Sequence, residues 1–442
     1  MKEKLDHDIK LNLKYKDLQG HVSIITGGNS GIGLEVAKQL VGLGSTVIIA
    51  CRSQVKCRNA ATLIGMKYPL KKDLIVTMTL DLSDLASVKK FTDDVNKQYK
   101  RLDILVNNAG LLATPGDRTG QGLEKSFGVM HIGHFALTKW LLKLMLKPLP
   151  STSGQQQQQQ MSANSARIVT VASDAMLMGN FDSSFMVGSG GGDLSCEVTD
   201  NCGKRGPFEC CPLLPCPVTN GYARAKLANV MFTYELQRRV DALIESSTGG
   251  KAAAKKYRRL VTSSLHPGVV HTNIHPFLQS QTSSYFLRSA EAASHVVLHA
   301  ILEDSFVPSS FIDSMKRSHD LFQFGSTSLS RHQAIFPQVD TMPFITAGLK
   351  GNNNNNNNNT IKKRIDEVAK YGLHPLVWRS KSLIVSSNSS STTTAEIIVY
   401  RKEEVSARLW DVSERIIDDW LNSRVPLLSS RVSTKPVNQL KL

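Results

Sequence analysis

The residues in this sequence best suited to moving a proton are Tyr222 and Lys226, in the stretch NGYARAKLANV over 220–230. Its alanines and Leu227, with Met231 just beyond and no proline, predict a helix. Four residues apart, the phenol and the ammonium share one face, one turn apart. A free phenol ionises at about pH 10, and a neighbouring cation favours the phenolate. Such a pair can act as general acid toward a carbonyl or as base toward an alcohol. Taken alone, a Tyr and a Lys at this spacing are ordinary surface in most helices. Their meaning depends on the elements around them.

Those elements alternate. HVSIIT (21–26) is a short, β-branched apolar run and predicts a buried strand. A glycine-rich turn follows, then IGLEVAKQLVGLG, an amphipathic helix stopped by glycine. TVIIAC, DLIVTMTLDL, LDILVNNAG and ARIVTVAS predict four more strands with a helix between each, and RRLVTSSLHPG a sixth. This rhythm predicts an α/β fold, a Rossmann-type doubly wound parallel sheet with helices on both faces. Residues 1–19 read as an N-terminal extension, 20–300 as the cofactor-binding catalytic domain, and 301–442 as a C-terminal extension. Low-complexity insertions interrupt it: 151–166 with six consecutive glutamines, 181–219 rich in Gly, Ser, Pro and Cys, and 351–359 with eight asparagines. Beyond residue 280 the alternation fades until EEVSARLWDVSERIIDDWL (403–421), a clear amphipathic helix.

Composition narrows the class. Hydrophobic residues make up 41% of the 442, enough for a sizeable core. The formal net charge is +16, but the bases are scattered and the densest run is only KKYRR (255–259). A solvated basic surface, with no nucleic-acid partner, is the expectation. No stretch reaches the roughly 18 apolar residues of a membrane span. The N-terminus lacks an apolar signal core, so a soluble, cytoplasmic chain is expected. Of seven cysteines, five (Cys196, Cys202, Cys210, Cys211, Cys216) fall in one segment without zinc-knuckle spacing or a histidine. Free thiols and no metal are expected.

TGGNSGIG (26–33) lies between the first strand and its helix, the context in which a glycine pattern binds phosphate. Gly27 permits a tight turn, while Gly31 and Gly33 let backbone approach a pyrophosphate at the positive helix end. Asn29, Ser30 and Ile32 complete the loop. The second strand ends in ACRS. An NAD site wants a carboxylate there for the ribose 2′-hydroxyl, whereas Arg52 offers a planar fork to a 2′-phosphate. Asp81 and Leu82, in LDLSD after the third strand, lie where adenine would be held, with Asp81 accepting from its amine.

Together TGGNSGIG, ACRS, LDLSD, LDILVNNAG, RIVTVAS, YARAKLANV, HPGVVHTN and ARLWDVSE, in this order, resemble the short-chain dehydrogenases/reductases, in their retinol-dehydrogenase-like and WW-domain-oxidoreductase-like branch. The resemblance implies Ser173, Tyr222 and Lys226 as catalytic residues. Ser173 would orient the substrate oxygen and Lys226 would also hold the nicotinamide ribose. Asn108, Ala109 and Gly110 would shape the cofactor floor, Pro267 and Gly268 would line the nicotinamide, and Thr272 would reach its carboxamide or the phosphates. Arg52 implies NADP(H) in preference to NAD(H); the resemblance implies an apolar carbonyl or alcohol substrate, and a homodimer is compatible with it. Two features depart from the family. Met130 stands where VNHLGHF would put an asparagine, at a bend whose backbone carbonyl helps hold a water linking the lysine to solvent. The Cys-rich segment stretches the gap from Ser173 to Tyr222. Met130 keeps a second reading open, a catalytically impaired dinucleotide sensor or scaffold.

Overall fold

The six apolar runs become six parallel strands in the computed structural model: β1 (Val22–Thr26), β2 (Thr46–Cys51), β3 (Ile75–Thr79), β4 (Ile104–Asn107), β5 (Ser165–Val171) and β6 (Arg259–His266). The structure describes residues 17–114, 116–148, 165–179, 220–246, 257–272, 274, 287–303, 310–313, 344–349, 395–400 and 402–424. A seventh strand, β7 (Ser310–Asp313), pairs parallel with β6. The sheet order is β3-β2-β1-β4-β5-β6-β7. Two further strands, β8 (Phe344–Leu349) and β9 (Ala395–Tyr400), pair antiparallel in a separate sheet.

Helices cover both faces. On one lie α1 (Gly31–Gly42), α2 (Gln54–Lys67) and α6 (Ala290–Leu302), which share a core through Val36, Leu40, Ile64, Val297 and Ile301. On the other lie α3 (Leu85–Gln98), α4 (His134–Leu146), α5 (Asn220–Ser246) and the terminal α7 (Lys402–Arg424), with Phe91, Phe135, Leu236 and Trp410 in one cluster. Strands buried on both faces read as unbroken apolar runs, which is why they were visible in the sequence. The terminal helix belongs to the same core: Trp410 meets the Phe135 ring at 4.8 Å, and Ser413 Oγ lies 2.8 Å from His131 Nε2.

At the N-terminal ends of the strands, Asp103 is buried and fully engaged. It accepts from Val22 N (2.8 Å) and from Arg101 Nε and Nη2 (2.8 and 2.6 Å), and it pairs with buried Arg258 at 2.5 Å. Burial alone would raise its carboxyl, but the Arg101 hydrogen bonds and the Arg258 charge hold it below the usual range.

The expectation of free thiols does not hold for Cys51 and Cys57, which are bonded to each other with Cα atoms 6.2 Å apart. Ser53, the N-cap of α2, turns the chain back so that the helix passes over the end of β2. The five clustered cysteines and the Gln- and Asn-rich runs lie outside the described residues. Among the described residues no helix is long and apolar enough to cross a membrane, and no group of His, Cys, Asp or Glu is set to hold a metal.

Candidate active site

The site candidates collect where β1, β4, β5 and β6 end, beside the β1/β4 boundary at which the strand order reverses. In open α/β sheets that edge is where ligands sit. Thr26 ties it together. Its Oγ1 accepts from Asn108 N and Ala109 N, both at 2.9 Å, while Asn108 Nδ2 donates back to Thr26 O at 2.9 Å. Gly27 has φ +65°, and a Cβ there would lie 3.1 Å from Ala109 Cα. Gly33 faces inward: a Cβ would come within 2.5 Å of Asn108 Nδ2 and 2.7 Å of Gly27 O. Any side chain there would push the start of α1 away from the turns after β1 and β4.

Gly31, at φ +54°, does face the open side, with Thr272 Cγ2 3.5 Å from its missing Cβ. Asn29, Ser30 and Ile32 are half-buried along the loop. Ser30 is the N-cap of α1 yet makes no side-chain cap, and the first turn holds no acid. The positive end of α1 is therefore left for an anion. Arg52 is exposed just past β2. Asp81 Oδ1 is taken by Ser83 N (2.9 Å) and Ser83 Oγ (2.6 Å), leaving Oδ2 for an adenine amine. Leu82 points into the core instead, and its carbonyl fits against Gly133, where a Cβ would come within 2.5 Å.

Ser173, two residues beyond β5, and Tyr222, in the first turn of α5, are joined by a hydrogen bond between their side chains. Lys226, one turn along α5, is buried. It donates to Val171 O at 2.8 Å, and its Nζ lies 5.5 Å from the Tyr222 ring centroid. Burial dominates both titrations, pushing Tyr222 up to about 12 and Lys226 down to about 8. The Ser173 hydrogen bond pulls Tyr222 down, and the Asp174 charge pushes it further up. Among the chain's own groups, burial thus outweighs the lowering expected from Lys226. The lysine is committed to a carbonyl, and desolvation outweighs its charge.

Residues Gly128–Gly133 form a π-helical turn, so the bend expected around Met130 is present. The Met130 carbonyl accepts from His134 Nδ1 at 3.0 Å and, with the Asn229 amide turned toward its two acceptor carbonyls, from Asn229 at 2.8 Å. The carbonyl on which a water was expected thus has two donors of the chain beside it. With its proton on Nδ1, His134 accepts through Nε2 from Thr26 Oγ1 at 2.9 Å. Burial holds this imidazole down to about 4, hence neutral. The Met130 sulfur and Lys226 Nζ flank Gly110, at 3.4 and 3.8 Å from where its Cβ would be.

A short chain dehydrogenase family model matches residues 21–185. Retinol dehydrogenase 12 of Homo sapiens is 32% identical over 296 residues, covering 66% of this chain and 76% of that protein. The chain belongs to the short-chain dehydrogenase family. Another relative in the family, retinol dehydrogenase 11 of Homo sapiens, is 30% identical over 292 residues, covering 65% of this chain and 74% of its own length. Among solved structures, a short chain dehydrogenase from Salmonella enterica is 20% identical and covers 69% of this chain and 99% of that one, with a TM-score of 0.47.

This short-chain dehydrogenase has site residues that the sequence did not announce. Ser173 Oγ donates to Asp174 Oδ1 at 3.0 Å, and Asp174 N donates to His266 Nδ1 at 3.3 Å. The ring proton is then on Nε2, which lies 3.8 Å from Asp174 Oδ2. Glu124 caps the turn before the π-helix, accepting from Ser126 N and Phe127 N at 3.0 and 2.7 Å. A Cβ on Gly221, the residue before Tyr222, would meet its carboxyl carbon at 2.5 Å. Arg288 holds the turn containing Pro267 and Gly268. Its Nη1 donates to Pro267 O at 3.3 Å, and its backbone bonds Val269 O and His271 N, both at 3.0 Å. Adjacency to Ser173 and Tyr222 could have flagged Asp174 and Gly221. Nothing local flags Arg288.

Proposed function

We propose that this chain is an NADP(H)-dependent oxidoreductase, cytoplasmic, interconverting a carbonyl and an alcohol on an apolar small molecule. The observation that carries the reading is the buried corner in which the Tyr222 and Ser173 hydroxyls bond each other while Lys226 is pinned to the end of β5. The uncapped positive end of α1, the open side of Gly31 beside Thr272, and Asp81 Oδ2, which has no partner among the described residues, suit a dinucleotide. Arg52, exposed and without an ion pair among the described residues, suits a 2′-phosphate. Bound there, NADP(H) supplies or accepts the hydride. Tyr222 delivers the proton that the substrate oxygen gains on reduction, or removes it on oxidation. The phenol is protonated at neutral pH, the form in which it can serve as the acid. Ser173 orients the oxygen. Lys226 anchors the floor of the site and would hold the ribose hydroxyls of a bound cofactor. Similarity to proteins named retinol dehydrogenases supports an apolar substrate.

Met130, wholly buried beside Gly110, favours the second reading, a dinucleotide sensor with impaired turnover. Purified protein with NADPH and a panel of apolar aldehydes and ketones separates the two. Consumption of NADPH that Tyr222→Phe abolishes supports the enzyme. Binding without consumption across the panel supports the sensor, and no binding defeats both.

A further inference from the structure

Among the described residues five large hydrophobic side chains are exposed, and four of them belong to one short segment: Val55, Leu63, Met66 and Leu70. The first three lie on α2, and Leu70 lies in the 3-10 turn (Pro69–Leu74) that leads from it to β3. At 3.6 residues per turn, Val55, Met66 and Leu63 fall within an arc of about 80° on the side of α2 opposite its buried residues Cys57 and Ile64. The apolar strip is therefore the outermost part of the helix.

Cations flank it. Lys56 and Lys67 border one side of the arc and Arg58 the other, with Lys72 after the helix. All four are exposed, and none makes an ion pair among the described residues. Between residues 52 and 73 the only acid is Asp73. The turn is braced from within: Lys71 Nζ donates to Gly42 O at 2.6 Å, and Tyr68 closes on Gly42, where a Cβ would meet its hydroxyl at 2.7 Å. Leu70, 98% exposed, is thus held out by anchored neighbours on both sides.

We propose that the outer face of α2 and the turn after it form a peripheral membrane-docking surface that seats Leu70, Met66 and Leu63 in the interfacial region of a bilayer carrying anionic headgroups. Apolar side chains between cations match a lipid surface in both respects, because the apolar atoms enter the acyl boundary while the ammonium and guanidinium groups meet phosphates. A convex helix with a protruding leucine offers no groove for a partner segment. Two copies meeting through this face would oppose these four cations to four more. The surface is remote in sequence from Tyr222 and Lys226, so the proposal does not depend on the catalytic reading, and it leaves the protein on the cytoplasmic side of the membrane.

The test is flotation of the purified full chain with phosphatidylcholine vesicles, with and without phosphatidylserine. Binding should require phosphatidylserine and weaken at high salt. Met66→Ser and Leu70→Ser should each lower partitioning about tenfold, and Lys67→Glu with Lys72→Glu should abolish it. All are exposed positions, so the circular dichroism spectrum and melting temperature should stay at wild-type values. Absence of binding to anionic vesicles, or binding that the serine variants leave unchanged, overturns the proposal. A concentration-dependent dimer in solution that Leu70→Ser dissolves also overturns it, by showing that a second copy covers the face.

Discussion

The two ends of the parallel sheet bury charge in opposite ways. At the N-terminal end, Asp103 meets two arginines and a backbone amide, and its carboxyl is held below its ordinary range. At the C-terminal end, Lys226 has a neutral carbonyl as its hydrogen-bond acceptor, Tyr222 has a hydroxyl, and burial drives both away from their charged forms. The first arrangement satisfies its charges and fastens β1, β4 and β6. The second leaves a proton donor and an ammonium short of compensation, which is the state in which groups do chemistry. Compensation marks a structural charge, and its lack marks a functional one.

The widest separation between the ends should come from Tyr222→Phe. It should lower turnover by about two to four powers of ten, the usual worth of a general acid, and leave the melting temperature nearly unchanged. Asp103→Ala should do the reverse. Stranding the buried Arg258 guanidinium should cost about 3–5 kcal/mol in urea unfolding, while NADPH affinity per folded molecule stays within a factor of about two. If Asp103→Ala abolished turnover in fully folded protein, the division would fail.

Cofactor choice should respond next. Arg52→Asp should weaken NADPH by about tenfold to a hundredfold and reverse the preference over NADH, as loss of a charge-assisted bond requires. Equal affinities for the two cofactors in the unmutated protein would remove the role given to Arg52.

The smallest effect is on stability against pH. Lys226 falls from 10.5 unfolded to about 8 folded, so between those values the unfolded chain holds the extra proton and stability rises with pH. Tyr222 rises from 10.0 to about 12, so above pH 10 the folded chain holds the extra proton and stability falls. A Lys226→Met variant should lose the rise and a Tyr222→Phe variant the fall. On the acid side, neutral His131 and His134, held to about 3 and 4 by burial, should make stability decline as pH drops below 6.5. His134→Gln should blunt that decline, and urea titrations at several pH values would read all three.

The six strands, the helix ending at Gly42 and the terminal helix were legible because their signals are local. Val22–Thr26 is β-branched and bounded by turns, and Lys402–Arg424 repeats its apolar residues at helical spacing. The glycine loop, Arg52, Ser173, Tyr222 and Lys226 were legible as motifs for the same reason: type and spacing along the chain carry them. β7 was not, because a run of four residues is too short to show a period. Nor was the outward apolar strip of α2, since a sequence shows which residues share a helical face but not which face the sheet covers.

The sequence by itself determined the order of strands, the chemistry on offer and the cation at the end of β2. Only the tertiary structure decided which charges are compensated. Asp103 and Arg258 are 155 positions apart, and His131 and Ser413 are 282 apart. The Met130 carbonyl has His134 and Asn229 beside it, and Arg288 grips a turn some twenty residues before it. The direction of the Tyr222 titration follows from burial, which many segments create together and no local spacing encodes.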